Sequence, residues 1–134
     1  MTKITDVEGI GSTYAAKLEA AGVKTVENLL EVGAAPKGRK TLAEKTGISD
    51  GLILEWVNRA DLARLKGIGS EYADLLEASG VDTVAELANR KPENLLAKMT
   101  EVNAAKQIVR KLPAQSQVED WVKQAKALPK IVTY

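Results

Sequence analysis

The stretch Val7-Glu8-Gly9-Ile10-Gly11-Ser12-Thr13-Tyr14-Ala15-Ala16-Lys17-Leu18-Glu19-Ala20-Ala21-Gly22-Val23-Lys24-Thr25-Val26 returns 58 residues further on, from Leu65 to Val84. Between Val7 and Leu29, 14 of 23 positions are identical to their partners in the second copy. A repeat at a fixed offset decides an architecture more firmly than residue propensity does, so the chain reads as a duplicated unit. A weaker echo pairs Trp56-Val57-Asn58-Arg59-Ala60 with Trp121-Val122-Lys123-Gln124-Ala125 at an offset of 65. The second unit therefore carries about seven extra residues, expected near Pro92 to Asn103.

Within each copy the apolar spacing is helical. Tyr14, Leu18 and Ala21 stand at i, i+4 and i+7, as do Tyr72, Leu76 and Ser79, and Gly22 and Gly80 follow where a left-handed C-cap ends a helix. Thr25 and Thr83 are N-cap residues for a next helix, with Glu86 completing a capping box in the second copy. Pro36 and Pro92 suit first helical positions, and Ser49 caps a longer helix holding Ile53, Trp56, Val57 and Ala60. No alternating strand pattern of useful length occurs, so the fold class is all-α. The expected architecture is two tandem units, residues 1–62 and 63–128, with a C-terminal tail at 129–134 apolar enough to dock on the body or on a neighbour. A unit of about 65 residues buries only a marginal core alone, so the two are expected to pack into one rigid body of about nine or ten short helices. The junction Asn58 to Leu65 has no Gly, Pro or Ser and is not a flexible linker. Tyr14, Tyr72, Trp56 and Trp121, four of the five aromatics, occupy repeat-equivalent positions. They read as core, with a stacking platform for bases as the rival reading.

Composition removes most enzyme classes. The 134 residues include no histidine and no cysteine, which excludes disulfides, Cys/His zinc sites, the Ser-His-Asp triad and the Cys-His dyad. Asp6 and Glu8, Glu27 and Glu31, and Glu119 and Asp120 are carboxylates at ordinary surface spacing, and no Walker, dinucleotide or Gly-x-Ser-x-Gly motif appears. We therefore expect a non-enzymatic protein with no catalytic residues. No apolar run approaches the ~20 residues of a membrane helix, and the N-terminal residues form no signal peptide, so a soluble cytoplasmic protein is expected. The net charge is +1, with 8 basic and 9 acidic groups in residues 1–63 and 11 and 9 in 64–134, so any positive surface must be local. Two local clusters exist, Lys37, Arg39, Lys40 and Lys45 in the first unit and Lys106, Arg110 and Lys111 in the second. Each reads either as a solvated helix face or as a contact for phosphate or an acidic protein.

Gly9-Ile10-Gly11 and Gly67-Ile68-Gly69 place an apolar side chain between two residues free to take backbone angles closed to others. They also expose backbone amides at the start of the following helix, where the dipole favours an anion. With Ala15 and Leu18 after the first, and Ala73 and Leu76 after the second, both turns resemble the helix-hairpin-helix family. Their continuation through Val26 is similar to the N-terminal domain of recombinases and the C-terminal domain of the bacterial RNA polymerase alpha subunit. Nearly the whole chain resembles a bacterial family known only as a domain of unknown function built from such repeats.

The helix-hairpin-helix resemblance implies sequence-independent binding of the double-stranded DNA backbone. Gly9, Ile10, Gly11, Ser12 and Lys17 would form the better site, Lys66, Gly67, Ile68, Gly69 and Ser70 the poorer one, with Lys37, Arg39 and Lys40 as further contacts. It also implies a monovalent cation held by hairpin carbonyls; no other cofactor or metal is expected. The second copy departs from the first, with Leu75 in the place of Lys17 and with Glu71 and Asp74, whose carboxylates repel phosphate, beside it. Degenerate turns follow at Gly47-Ile48-Ser49 and Leu112-Pro113-Ala114. The alternative is a structural or protein-interaction module on the same fold without nucleic-acid binding, which the near-neutral charge favours.

Overall fold

Thr25 and Thr83 end their approach strands of irregular chain by capping helices through their side chains. In the computed structural model, which describes residues 3–7 and 9–134, Thr25 Oγ1 accepts from Asn28 N at 3.0 Å and Thr83 Oγ1 from Glu86 N at 3.2 Å. Each satisfies one of the first-turn amides that a helix cannot bond internally. The reciprocal half of the second box does not form, because the Glu86 carboxylate pairs with Arg90 at 3.1 Å, one helical turn on.

The two helices before these caps end alike. Helix α1 (Ser12–Ala20) closes with Val23 N donating to Leu18 O at 2.9 Å and Gly22 N to Glu19 O at 3.0 Å. Helix α5 (Ser70–Ala78) closes with Val81 N to Leu76 O and Gly80 N to Glu77 O at 2.9 and 3.0 Å. That is the Schellman arrangement, with Gly22 (φ +91) and Gly80 (φ +93) supplying its left-handed residue.

The remaining helices are α2 (Val26–Gly33), α3 (Pro36–Thr46), α4 (Asp50–Leu62), α6 (Val84–Ala88), α7 (Pro92–Lys106) and α8 (Gln115–Ala127), after a 3-10 turn at Ile4–Asp6. Pro36 and Pro92 open α3 and α7, and Ser49 Oγ accepts from Leu52 N at 3.2 Å to cap α4. Among the described residues there is no strand beyond an isolated bridge between Lys3 and Thr25, so the fold is all-α. None of their helices is long and apolar enough to cross a membrane.

The extra residues of the second repeat are spread more widely than the sequence suggests. Helix α7 has 15 residues against 11 in α3, and residues 107–114 link it to α8 where residues 47–49 link α3 to α4. The αL residue that ends α3 is Gly47 (φ +73), whereas Gln107 (φ +50) ends α7. A side chain at that backbone angle is strained. The Asn103 amide offsets this by bonding both Val109 main-chain groups, donating to its carbonyl at 3.2 Å and accepting from its N–H at 2.9 Å.

The chain divides into two units. Unit 1 comprises Met1–Asp61 with Ile131–Tyr134, and unit 2 comprises Leu62–Lys130. In unit 1, Ile4, Ile10, Leu18, Leu29, Leu42, Ile53, Trp56 and Val57 are buried together with Val132 from the C-terminal segment. In unit 2, Leu75, Leu76, Leu87, Leu95, Met99, Val118, Trp121 and Val122 form the core, with α6 and α7 packed on α8 and α5 on α7.

Candidate nucleic-acid interface

The first glycine of each turn is fixed by what lies under it. Gly9 (φ +93) and Gly67 (φ +87) lie in the left-handed region, and a Cβ on them would stand 3.2 Å from Trp56 Nε1 and 3.6 Å from Trp121 Nε1. Each indole is further clamped by the tyrosine of its own repeat, Tyr14 at 5.0 Å between ring centroids and Tyr72 at 5.3 Å. Trp56 is 1% and Trp121 2% exposed, so these aromatics are core, and neither indole presents a face on which a base could stack.

The second glycine is a different case. Gly11 (φ −84, ψ −177) and Gly69 (φ −85, ψ 178) are in ordinary extended conformation, and nothing lies within 4 Å of a Cβ built on either. Of the two glycines expected to need unusual backbone angles, only the first does. The fold tolerates any residue at the second, and glycine there leaves the helix start bare. The α-helical ladder begins with Ala15 N to Gly11 O at 2.9 Å and Ala73 N to Gly69 O at 3.0 Å, so the amides of residues 12–14 and 70–72 precede it. Glycine has no side chain to cap them, in contrast to Thr25, Ser49 and Thr83. Chemical denaturation should separate the two roles. Gly9→Ala should lose about 1 to 2 kcal/mol through its backbone angle and the indole beneath it, while Gly11→Ala should stay within about 0.5 kcal/mol of the parent.

Around the first turn Ile10 is buried, whereas Gly9, Gly11, Ser12 and Lys17 are exposed. Around the second, Lys66, Gly67 and Gly69 are exposed and Ile68 is half-buried; the Ser70 side chain lies outside the described residues. The Gln124 amide fixes this turn by accepting from Lys66 N at 2.8 Å and donating to Lys66 O at 3.1 Å. Leu75, the counterpart of Lys17, is fully buried, so no cation can replace it without disrupting the core. Glu71 is exposed, and it lines a polar cleft of about 580 Å³ with Asn103, Gln107, Ile108, Val109 and Arg110.

The basic clusters sort differently from their sequence. Lys37, Lys40 and Lys45 of α3 are exposed, as are Lys106, Arg110 and Lys111, while Lys111 O accepts from the Tyr72 hydroxyl at 3.2 Å. Arg39 does not belong with them. It is 5% exposed, and its guanidinium donates to the carbonyls of Gly33 (2.8 Å), Ala34 (3.1 Å) and Thr133 (2.7 Å). An interior arginine with its donors taken by main-chain carbonyls has no place at a phosphate surface. The sequence carried a signal for this: Arg39 shares the inward face of α3 with Leu42, and counted from the helix-opening proline its counterpart in α7 is Leu95.

The starts of α1 and α5 are thus solvent-facing and carry no side-chain cap, as is also true of α3 and α7; the exposed Lys17 lies in the last turn of α1 and the exposed Glu71 in the first turn of α5. A family model for a domain of unknown function, DUF4332, matches residues 8–128, and the chain belongs to that family. No curated protein and no solved structure matches it.

Proposed function

We propose that the two turns are helix-hairpin-helix motifs and that the protein is a non-enzymatic binder of the double-stranded DNA backbone. In this reading the start of α1 is the principal contact. The observation that carries it is the second glycine: Gly11 needs no special backbone angle and faces open space, yet it leaves amides uncapped at a helix N-terminus where the dipole favours an anion. Stability alone favours Ser, Thr or Asp at such a position, so a bare helix start suits a ligand that approaches the backbone closely. Phosphate oxygen is such a ligand, and contacts of this type do not read bases. Lys17, exposed on the same short helix, adds attraction. The turn before α5 is the weaker contact, because it has the same bare amides but carries Glu71 and a buried Leu75 where a cation would help. Lys37 and Lys40 add positive potential to unit 1; Arg39 does not take part.

Gly11→Asp tests this directly. Its carboxylate would cap the α1 amides, so the fold should be unchanged or gain a few tenths of a kcal/mol, while duplex affinity should fall at least about tenfold as the anion site fills. Lys17→Glu should weaken binding similarly and reduce the salt slope by about 1 at nearly constant melting temperature. Unchanged duplex binding in both variants would refute the assignment and leave the alternative, an interaction module that holds no nucleic acid.

A further inference from the structure

Arg39 answers to a segment far from it in the chain. A buried guanidinium costs free energy unless its donors are satisfied, and in α7 the equivalent place is filled by Leu95, 2% exposed, with no charge to satisfy. In unit 1 the donors are met partly by Thr133 O, 94 residues away. Both main-chain groups of Thr133 are engaged, since its N–H also donates to Ala34 O at 2.7 Å. On either side of it the segment is read by side chain. Val132 is 2% exposed in the unit 1 core, and the Tyr134 ring lies 5.9 Å from the Arg39 guanidinium carbon with its hydroxyl bonded to Asn58 Oδ1 at 3.2 Å. Main-chain bonds for affinity and alternate side chains for identity are how proteins recognise extended peptides.

We propose that unit 1 carries a peptide-recognition site for an extended segment of apolar-Thr-Tyr chemistry. It holds the chain's own residues Ile131–Tyr134 in cis and accepts the same residues of a second copy in trans. The occupant follows from the structure: the segment that fits is present on every copy, and it leaves α8 through Leu128 in extended conformation (φ −92, ψ 142) with Pro129 and Lys130 exposed. Exchange would preserve every contact inside the site, so the balance between cis and trans is set by concentration and by the connecting residues. This inference stands apart from DNA binding.

Two complementary chains test it. A chain lacking residues 131–134 is a receptor without a tail, and full-length Arg39→Leu, with the residue that α7 carries, is a donor whose own site is impaired. A labelled peptide of residues 128–134 should bind the receptor saturably, and Tyr134→Ala in the peptide or Arg39→Leu in the receptor should weaken it at least about tenfold. Above the peptide Kd, sedimentation of receptor with donor should give a 1:1 complex that neither chain forms alone. Should the truncated chain lose helix content, the peptide should restore it. Absence of both saturable binding and restored helix overturns the proposal, and so does peptide binding without a mixed complex.

Discussion

Trp56→Ala should cost about 3 to 5 kcal/mol, the largest effect of any single substitution considered. The indole is 1% exposed, meets the Tyr14 ring at 62° in an edge contact, and supports Gly9 in the one backbone conformation that lets the turn form. Truncation leaves a cavity that the surrounding structure closes only in part. Because Trp56 and Trp121 are the only tryptophans and each sits in the core of one unit, the remaining indole reports unit 2 while circular dichroism follows all helices. A change within about 0.5 kcal/mol in denaturant unfolding would contradict the core assignment.

Arg39→Ala should cost about 2 to 4 kcal/mol and release the C-terminal segment. Three carbonyls lose a charged donor, two of them, on Gly33 and Ala34, at the end of α2 and the third on Thr133. The Thr133 amide, which bonds Ala34 O, should then exchange with solvent much faster than in the parent. Arg39→Lys should recover little, since an ammonium cannot span three acceptors fixed for a planar fork. An exposed, dispensable Arg39, with loss below about 0.5 kcal/mol, would return it to the basic surface cluster where its sequence neighbours belong.

These two residues also show what the sequence makes legible. Trp56 is readable as core because a duplicated chain repeats its interior, and Trp121 stands where the repeat requires. Helix ends are readable for the same reason: Gly22, Thr25, Pro36 and Ser49 each act within a few residues of themselves. Arg39 is not readable as interior from charge alone, because its partner Thr133 is 94 residues distant and has no counterpart in the repeat. Leu75 misleads in the other direction. Alignment with the exposed Lys17 suggests a surface position, but Leu75 is fully buried in the unit 2 core, on a helix that packs against α7. The two glycines of the turn are alike in sequence and differ in cause, Gly9 being required by the fold and Gly11 being free of it, a distinction that only backbone angles and the space around each Cβ reveal.

Binding of labelled duplex DNA at two or more salt concentrations tests the central claim most directly. If about four phosphates are contacted, Kd should lie on the order of 10⁻⁴ to 10⁻⁶ M, the log-log salt slope should be roughly −3 to −4, and scrambling the DNA sequence should change neither. Failure to bind at about 50 mM salt, or a salt-independent affinity, would contradict it.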